Sequence, residues 1–317
     1  MLPSFPAGAP GEIAVLIPCF NEAGTVASVV RSFLAVLPGA VVYVYDNNSV
    51  DNTSEEARQA GAVVRREPVQ GKGMVVRRMF ADVEADYYIL VDGDGTYDAS
   101  AAPDMIRLAR LENLAMLVAR RVEDSAGVWR SGHRLGNRLF SAAVAGLFGA
   151  RFTDILSGYR VFSRPFVKSF PVFCGGFEIE AELTVHALTL GLPVAEMATV
   201  YRERPAGSVS KLKTCSDGFR ILRAIVILFR NERPFSFFGS LGLFFLLLAG
   251  GLGWPVVATF LETGLVPRFP TAILATGLAL YSLIMFACGL ILDTVTKGRR
   301  EMKVLFYLNA LRARANS

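Results

Sequence analysis

Two acidic residues separated by a single glycine follow an apolar run in the first third of the chain. Asp92 and Asp94 lie in the segment ILVDGDGT, residues 89–96. Carboxylates this close repel each other unless a hard cation neutralises them, as Mg²⁺ or Mn²⁺ bound to a diphosphate would. The intervening glycines leave room for a phosphate beside the backbone. The segment therefore predicts a metal and diphosphate site with Asp92 and Asp94 as metal ligands; the alternative is a solvated Asp-Gly turn.

Three further polar segments precede this pair, and each follows a short apolar run. Their sequences are PCFNE at residues 18–22, DNNSVDNT at residues 46–53 and QGKG at residues 70–73. Asparagine is a common turn residue, so Asn21, Asn47 and Asn48 can also be explained without a ligand. Turn formation does not exclude ligand contact, and all three segments are candidates for binding.

The elements that must position these segments alternate between apolar strands and helices. This alternation predicts an α/β domain with a parallel sheet covered by helices on both faces. Ligands of such sheets bind beyond the carboxyl ends of the strands, where the polar segments lie. Strands are predicted at Ile13–Ile17, Val41–Tyr45, Ala62–Val64, Tyr87–Val91 and Ala115–Ala119, and helices at Thr25–Leu37, Ser54–Ala60, Met74–Val83 and Ala102–Leu111.

Taken in order, the four polar segments resemble those of the family 2 glycosyltransferases. The resemblance implies a GT-A type, Rossmann-like catalytic domain with a mostly parallel sheet and a divalent metal, Mg²⁺ or Mn²⁺, with Asp94 as principal ligand. Many relatives have two acids where this chain has Asp46 followed by Asn47. The base of the donor, uracil or guanine, is therefore left open. The implied nucleotide-sugar-binding residues are Pro18, Asn21, Glu22, Asp46, Asn47, Lys72 and Asp92.

The second half of this domain lacks the Gln-x-x-Arg-Trp motif of processive polysaccharide synthases. It looks instead like the dolichyl-phosphate mannose synthases and the bacterial polyprenyl-phosphate glycosyltransferases, over roughly residues 12–225. Thr96, where the mannose synthases often have glutamine, and an extra residue between Gly207 and Ser210 leave the sugar and the metal shell open. The segments that carry this resemblance are RR at 120–121, RLGNR at 134–138, DILSGYR at 154–160, GFEIE at 176–180 and RPAGSVSKL at 204–212.

The implied acceptor is a polyprenyl phosphate of the undecaprenyl or dolichyl type. Its dianionic head lies at the bilayer surface, so its site needs cations there, and guanidinium groups fit phosphate oxygens well. The candidates are Arg120, Arg134, Arg204 and Lys211, each with a surface charge or a lipid headgroup contact as the alternative.

A phosphate monoester is ionised near pH 7 and needs little help from a general base. We therefore expect an inverting, metal-dependent transfer in which Asp92 and Asp94 are catalytic. If a base is used, Glu178 is the candidate, with Asp154 as the other suspect. Two other functions stay open. Transfer to a saccharide hydroxyl would require an essential carboxylate base, and a non-catalytic membrane scaffold would not need the Asp-x-Asp pair, which is intact here.

Two uncharged apolar stretches follow the catalytic domain, Pro234–Leu261 and Phe269–Leu292. Each exceeds the roughly 20 residues that cross about 30 Å of hydrocarbon. We expect two transmembrane helices, at about 235–260 and 269–292, rather than a pair of buried core helices. The expected organisation is a catalytic domain at 1–213, an amphipathic interfacial helix at 214–233, and the spans with a basic tail at 234–317.

Charge placement predicts the orientation in the membrane. Basic residues precede the first span and follow the second, whereas Glu262 and Arg268 are the only charged residues in the connection between the spans. By the positive-inside rule both flanks are cytosolic. The first 11 residues lack basic residues and a long apolar core, unlike a secretory signal. The expected location is the cell inner or plasma membrane, as a multi-pass protein with a cytosolic catalytic domain.

The remaining composition limits the partners. The net charge of +5 is concentrated beside apolar segments, which favours anionic membrane lipids over nucleic acid. The four cysteines are scattered without metal-type spacing. His133 and His186 are too few and too far apart for a metal site, and His186 is expected to be structural. The oligomeric state is left open, a homo-oligomer included.

Overall fold

The computed structural model describes residues 11–123, 141–146, 152–171, 179–202, 223 and 226–315. The chain divides into two compact units, one of Met1–Ile221 with Lys303–Ser317 and one of Leu222–Met302. The strands are β1 Gly11–Cys19, β2 Val41–Asp46, β3 Val63–Arg66, β4 Ala85–Leu90, β5 Met116–Glu123, β6 Arg160–Ser163 and β7 Val194–Tyr201. The helices are α1 Val26–Val36, α2 Thr53–Gln59, α3 Lys72–Asp82, α4 Ala102–Leu111, α5 Arg164–Ser169, α6 Ile179–Thr189, α7 Pro234–Thr263 and α8 Phe269–Ala315.

The described strands form a seven-stranded sheet in the order β3-β2-β1-β4-β6-β5-β7. Strands β1 to β4 pair in parallel, and β5 pairs in parallel with β7. Strand β6 is antiparallel to both of its neighbours, β4 and β5. The predicted α/β domain with a mostly parallel sheet is therefore confirmed, and the carboxyl ends of β1, β2 and β4 meet at one edge.

The five predicted strands and four predicted helices are all present, with ends that differ by up to four residues. The largest difference is at β5, which runs on to Glu123 instead of ending at Ala119. Strands β6 and β7 were not predicted. β6 has only four residues and begins with a buried arginine, Arg160, so its apolar run is too short to stand out.

Among the described residues, two helices are long and apolar enough to cross a membrane, and their apolar parts lie in the second unit. Helix α7 has 30 residues and α8 has 47, so the predicted second span at 269–292 is the apolar first half of a longer helix. The two helices meet closely at Gly242, where an added Cβ would lie 3.1 Å from the Phe286 ring. The Ser282 hydroxyl donates to the Gly242 carbonyl at 2.8 Å. Of the expected interfacial helix at 214–233, the structure describes residues 223 and 226–233. Residues 223 and 226–232 are helical, and the other residues of this segment lie outside the described residues.

His186 on α6 is buried in an aromatic cluster of the first unit. It is 2% exposed, and its ring meets the edges of Phe166 and Phe170 at centroid distances of 5.5 and 5.0 Å. Neither ring nitrogen has a hydrogen-bond partner. Burial lowers the pKa of His186 to about 3, and the charge of Lys303 acts in the same direction. The imidazole is therefore neutral in the folded protein and serves as an apolar packing group.

We expect His186→Leu to make the protein less sensitive to acid. The unfolded chain takes up a proton at this residue below a pKa of about 6.5, whereas the folded chain resists until about pH 3. The wild-type protein thus loses stability as the pH falls through this window, by about 2 kcal/mol at pH ~5 from this residue alone. Thermal unfolding in detergent near neutral pH and near pH 5 measures the difference. An equal loss of Tm in both proteins would contradict the assignment.

Candidate active site

The turns after β1 and β2 are tied together by side chains of the first two polar segments. The Asn21 backbone N–H donates to the Ser49 hydroxyl at 2.9 Å, and the Val50 N–H donates to Asn21 Oδ1 at 2.9 Å. Asn21 has a φ of 52°, a conformation that asparagine tolerates better than most residues. The Glu22 N–H donates to the Thr53 hydroxyl at 2.8 Å. These bonds fix one wall of the sheet edge, so the turn-forming interpretation of Asn21 holds.

Asp46 and Asn47, at the end of β2, are both buried, and both side chains form hydrogen bonds. Asp46 accepts hydrogen bonds from the Ser49 N–H at 2.9 Å and from the Ser54 hydroxyl at 2.7 Å. The Asn47 amide donates to the Glu67 and Val69 carbonyls at 2.9 and 2.8 Å and accepts from the Gly71 N–H at 2.7 Å. An aspartate could not make the two donations. The departure from two acids at this position therefore has a structural use, because the amide holds the loop that precedes Lys72.

Lys72 lies between two carboxylates that come from distant parts of the chain. Its ammonium donates to Asp92 Oδ1 at 2.5 Å and to Glu180 Oε1 at 2.5 Å. The side chains of Lys72 and Glu180 are only 10% and 6% exposed, and that of Asp92 is 29% exposed. Burial alone would lower the pKa of Lys72, but Asp92 and then Glu180 outweigh it and raise that pKa above its ordinary value. Lys72 therefore stays protonated and carries a positive charge at the sheet edge.

Asp92 is packed against Gly158, where any Cβ would overlap its carboxylate. The Gly158 N–H in turn donates to the Tyr97 hydroxyl at 2.9 Å. A Cβ added to Gly93 would likewise overlap the side chains of Glu22 and Cys19, so a larger residue would clash there. The glycines of the Asp-x-Asp segment and its surroundings thus have a packing role in addition to the predicted access for phosphate.

The second acid of the pair, Asp94, is 5% exposed and braced by Thr96. Its Oδ1 accepts from the Thr96 N–H at 3.2 Å and from the Thr96 hydroxyl at 2.6 Å. The Asp92 and Asp94 carboxylates are hard oxygen donors that fit Mg²⁺ or Mn²⁺, and the Lys72 ammonium stands in for a cation at Asp92. Among the described residues, no group of three or more His, Cys, Asp or Glu residues could hold a metal ion. Asp92 and Asp94 would be the residues that hold such an ion.

The arginine pair after the predicted strand is split between two environments. Arg120 is an exposed residue of β5, consistent with either an acceptor contact or a surface charge. Arg121 faces the other way and forms a bidentate pair with Asp154 at 2.7 and 2.6 Å, with its guanidinium 5.4 Å from the Tyr201 ring centroid. Asp154 is thus committed to a buried ion pair, which argues against it as a general base.

Arg160 in β6 is completely buried. Its guanidinium donates to the Ser157 carbonyl at 2.9 Å, to the Thr184 hydroxyl at 2.8 Å and to the Ile155 carbonyl. Burial lowers the pKa of Arg160 to about 10, and the negative charge of Glu180 acts against that shift. The Thr184 hydroxyl donates to the Glu180 carbonyl at 2.9 Å, so Arg160 also supports the helix that carries Glu180.

The structure brings most of the predicted donor residues to one edge of the sheet. Pro18 differs from the other residues because it lies within β1, where it is buried and in register with Tyr45. Sequence reasoning missed Glu180, although the segment GFEIE contains two glutamates and its second one begins the acidic first turn of α6. The predicted residues Glu178, Arg134, Arg204 and Lys211 lie outside the described residues.

The mostly parallel sheet, with its polar turns at the carboxyl ends of β1, β2 and β4, defines an α/β domain of the GT-A type. The family model for glycosyl transferase family 2 matches residues 14–170. The chain is 35% identical to glycosyltransferase AglJ of Haloferax volcanii, over 77% of this chain and 80% of that protein. This chain belongs to glycosyl transferase family 2.

Two further comparisons extend the likeness. A dolichyl-phosphate hexose transferase of Haloferax volcanii is 27% identical over 70% of this chain and 96% of its own length. Among solved structures, glucosyl-3-phosphoglycerate synthase of Mycobacterium tuberculosis in complex with Mn²⁺, UDP-glucose and phosphoglyceric acid has a TM-score of 0.54. That match has 23% identity and covers 68% of this chain and 78% of that chain, and it supports the fold alone.

We expect Asn47→Asp to destabilise the loop before Lys72. The change removes both donations to the Glu67 and Val69 carbonyls and buries a charge beside them. The free energy of unfolding should fall by at least about 2 kcal/mol, since two buried acceptors lose their donor. Asn52→Asp is the matched control, because Asn52 is exposed and makes no side-chain capping bond. Thermal unfolding of both variants measures the effect, and equal Tm values would contradict the role given to Asn47.

We expect Asp94→Asn to abolish turnover and leave the fold intact. An asparagine keeps the Oδ1 that accepts both hydrogen bonds from Thr96, while the negative charge needed by a cation is lost. The turnover rate should fall by about 10²-fold or more, as for other removed electrostatic groups. Activity assays and thermal unfolding on the same preparation separate the two effects. Retention of more than a few per cent of wild-type turnover would refute the metal-ligand role.

Proposed function

We propose that this protein transfers a sugar from a nucleotide-sugar to a polyprenyl phosphate at a membrane surface. The observation that carries the proposal is the joining of a family 2 glycosyltransferase domain to two apolar helices of 30 and 47 residues. A lipid acceptor is confined to the bilayer, and an enzyme anchored there meets it without leaving the surface. The likeness to a dolichyl-phosphate hexose transferase supports the same acceptor class.

The donor is proposed to be a UDP- or GDP-linked sugar that lies at the carboxyl ends of β1, β2 and β4. Asp92 and Asp94 would hold a divalent cation, Mg²⁺ or Mn²⁺, which supplies charge stabilisation to the leaving diphosphate. A solved fold neighbour is in complex with Mn²⁺ and UDP-glucose, which are the classes of metal and donor proposed here. Lys72, a fixed cation at the same edge, would add to that stabilisation.

The transfer would be a single displacement. A phosphate oxygen of the acceptor forms a bond to the anomeric carbon, the bond from that carbon to the diphosphate oxygen breaks, and the nucleoside diphosphate leaves with the electron pair. The configuration at the anomeric carbon is inverted. Because the acceptor phosphate is already ionised, positioning by cations replaces a general base. Arg120, Arg134, Arg204 and Lys211 stay the proposed acceptor contacts.

For the membrane arrangement, we propose that α7 and the first half of α8 span the inner or plasma membrane. The catalytic domain would then lie on the cytosolic side, together with the basic residues that flank the spans. Both the nucleotide-sugar and the phosphate head of the lipid would be reached from that side.

A second candidate is transfer to a saccharide or other hydroxyl. The fold neighbour in complex with phosphoglyceric acid illustrates that this fold serves acceptors that are not lipids. Such a reaction requires a carboxylate base, and Glu178 is the remaining candidate for it. A non-catalytic scaffold is disfavoured because the Asp-x-Asp pair is present and braced.

The acceptor is tested by incubating the purified full chain with undecaprenyl or dolichyl phosphate and a panel of labelled UDP- and GDP-sugars. We expect a lipid-linked sugar from at least one donor, detected by extraction into organic solvent and chromatography. The Asp94→Asn protein is the control and should give none. Product formed with saccharide acceptors in place of the lipid phosphate would replace this proposal by the second candidate.

A further inference from the structure

The Lys72 ammonium occupies the place beside Asp92 that a divalent cation needs. Its donation to Asp92 Oδ1 at 2.5 Å already neutralises the first acid of the Asp-x-Asp pair. A cation that binds this carboxylate meets a second positive charge at contact distance, and the repulsion is doubled for a divalent ion. A metal ion at Asp92 Oδ1 would therefore compete with Lys72, and the other oxygen, Oδ2, is the one that lies against Gly158.

Gly158 closes one side of the Asp92 carboxylate. The carboxylate is packed against the backbone of this glycine, where even a Cβ would overlap it. Lysine, in contrast, has a flexible four-carbon stem and a compact charge that re-forms its hydrogen bonds easily. The mobile partner in any exchange at Asp92 is thus the ammonium of Lys72.

Glu180 gives the ammonium a second partner that does not depend on Asp92. It holds Lys72 Nζ at 2.5 Å, and its side chain is 6% exposed in the first turn of α6, where the helix dipole favours a carboxylate. Arg160 supports this helix, because its guanidinium donates to the Thr184 hydroxyl, which in turn donates to the Glu180 carbonyl. A lysine that gives up Asp92 therefore keeps a buried counter-charge through Glu180.

We propose that Lys72 holds the metal position of Asp92 in the absence of donor, and that Glu180 is the positioning residue that retains Lys72 when the metal and the nucleotide diphosphate arrive together. The diphosphate brings the negative charge that balances both the divalent ion and the displaced ammonium. It also supplies metal ligands, since the described residues offer no group of three. Metal binding is consequently coupled to nucleotide binding. The inference rests on the proposed function for the class of donor and is independent of the acceptor.

The test is Mn²⁺ binding to the purified full chain, measured from the electron paramagnetic resonance signal of free Mn²⁺, with and without UDP or GDP. Wild-type protein should bind Mn²⁺ weakly alone and more tightly with one of the nucleotides. Lys72→Met removes the competing ammonium at similar volume, so Mn²⁺ alone should bind at least about tenfold more tightly and the nucleotide effect should shrink.

Glu180→Gln should have the opposite effect. Lys72 then has Asp92 as its remaining carboxylate partner, so Mn²⁺ binding in the presence of nucleotide should weaken by about tenfold. Glu180→Asp keeps the charge and should recover part of the loss. Glu182→Gln, on the same helix and only partly buried, is the matched control and should leave Mn²⁺ binding unchanged.

The double variant Lys72→Met/Glu180→Gln guards against loss of folding, because it removes one charge of each sign from the buried pair. It should also bind Mn²⁺ alone more tightly than wild type. Mn²⁺ binding to the Lys72→Met and double variants that is no tighter than wild type would overturn the inference, as would wild-type protein that binds Mn²⁺ equally with and without nucleotide. Failure to glycosylate polyprenyl phosphate, with these Mn²⁺ results as expected, would overturn the proposed function alone.

Discussion

The placement of one buried ammonium between two carboxylates organises the catalytic domain. Lys72 and Glu180 are 108 residues apart, and Asp92 lies at the end of a third element. Buried charges are costly unless each is paired and hydrogen-bonded. The surroundings support these three groups: Asn47 fixes the loop before Lys72, the absence of a side chain at Gly158 leaves room for the Asp92 carboxylate, and Arg160 supports the helix of Glu180 through Thr184. The mixed half of the sheet is therefore needed by the site as much as the parallel half.

Local patterns predicted the parallel half of the sheet and its polar turns because each strand there is a continuous apolar run that ends in turn residues. The sequence could not predict which residues these turns contact, since hydrogen bonds such as that between Asn47 and Gly71 depend on how loops pack together in the folded chain. Neighbouring residues of a strand face opposite sides, so the Arg120-Arg121 pair could not reveal which arginine is buried. Glu180 was missed for a different reason, because its partner Lys72 comes close to it only in the folded chain.

Composition predicted the two apolar helices of the second unit but not where the second one ends. The apolar stretch stops at Leu292, whereas α8 continues to Ala315. Residues 293–315 contain lysine, arginine, glutamate, methionine and leucine, which are all good helix formers, so charge ends the apolar stretch without ending the helix. The contact of Ser282 with the Gly242 carbonyl also lies outside what hydropathy predicts, because it depends on a glycine that lets the helix backbones approach.

The charges of the site bear on the choice of acceptor. Two carboxylates that the structure describes are already paired, Asp154 with Arg121 and Glu180 with Lys72. A sugar hydroxyl must lose its proton during attack, so it needs a carboxylate base within hydrogen-bond reach. A phosphate monoester has a pKa near ~6 and arrives ionised, so it requires cations and orientation instead. Asp154 and Glu180 are thus committed to ion pairs, and the proposed phosphate acceptor would need neither of them as a base, whereas a hydroxyl acceptor would depend on Glu178.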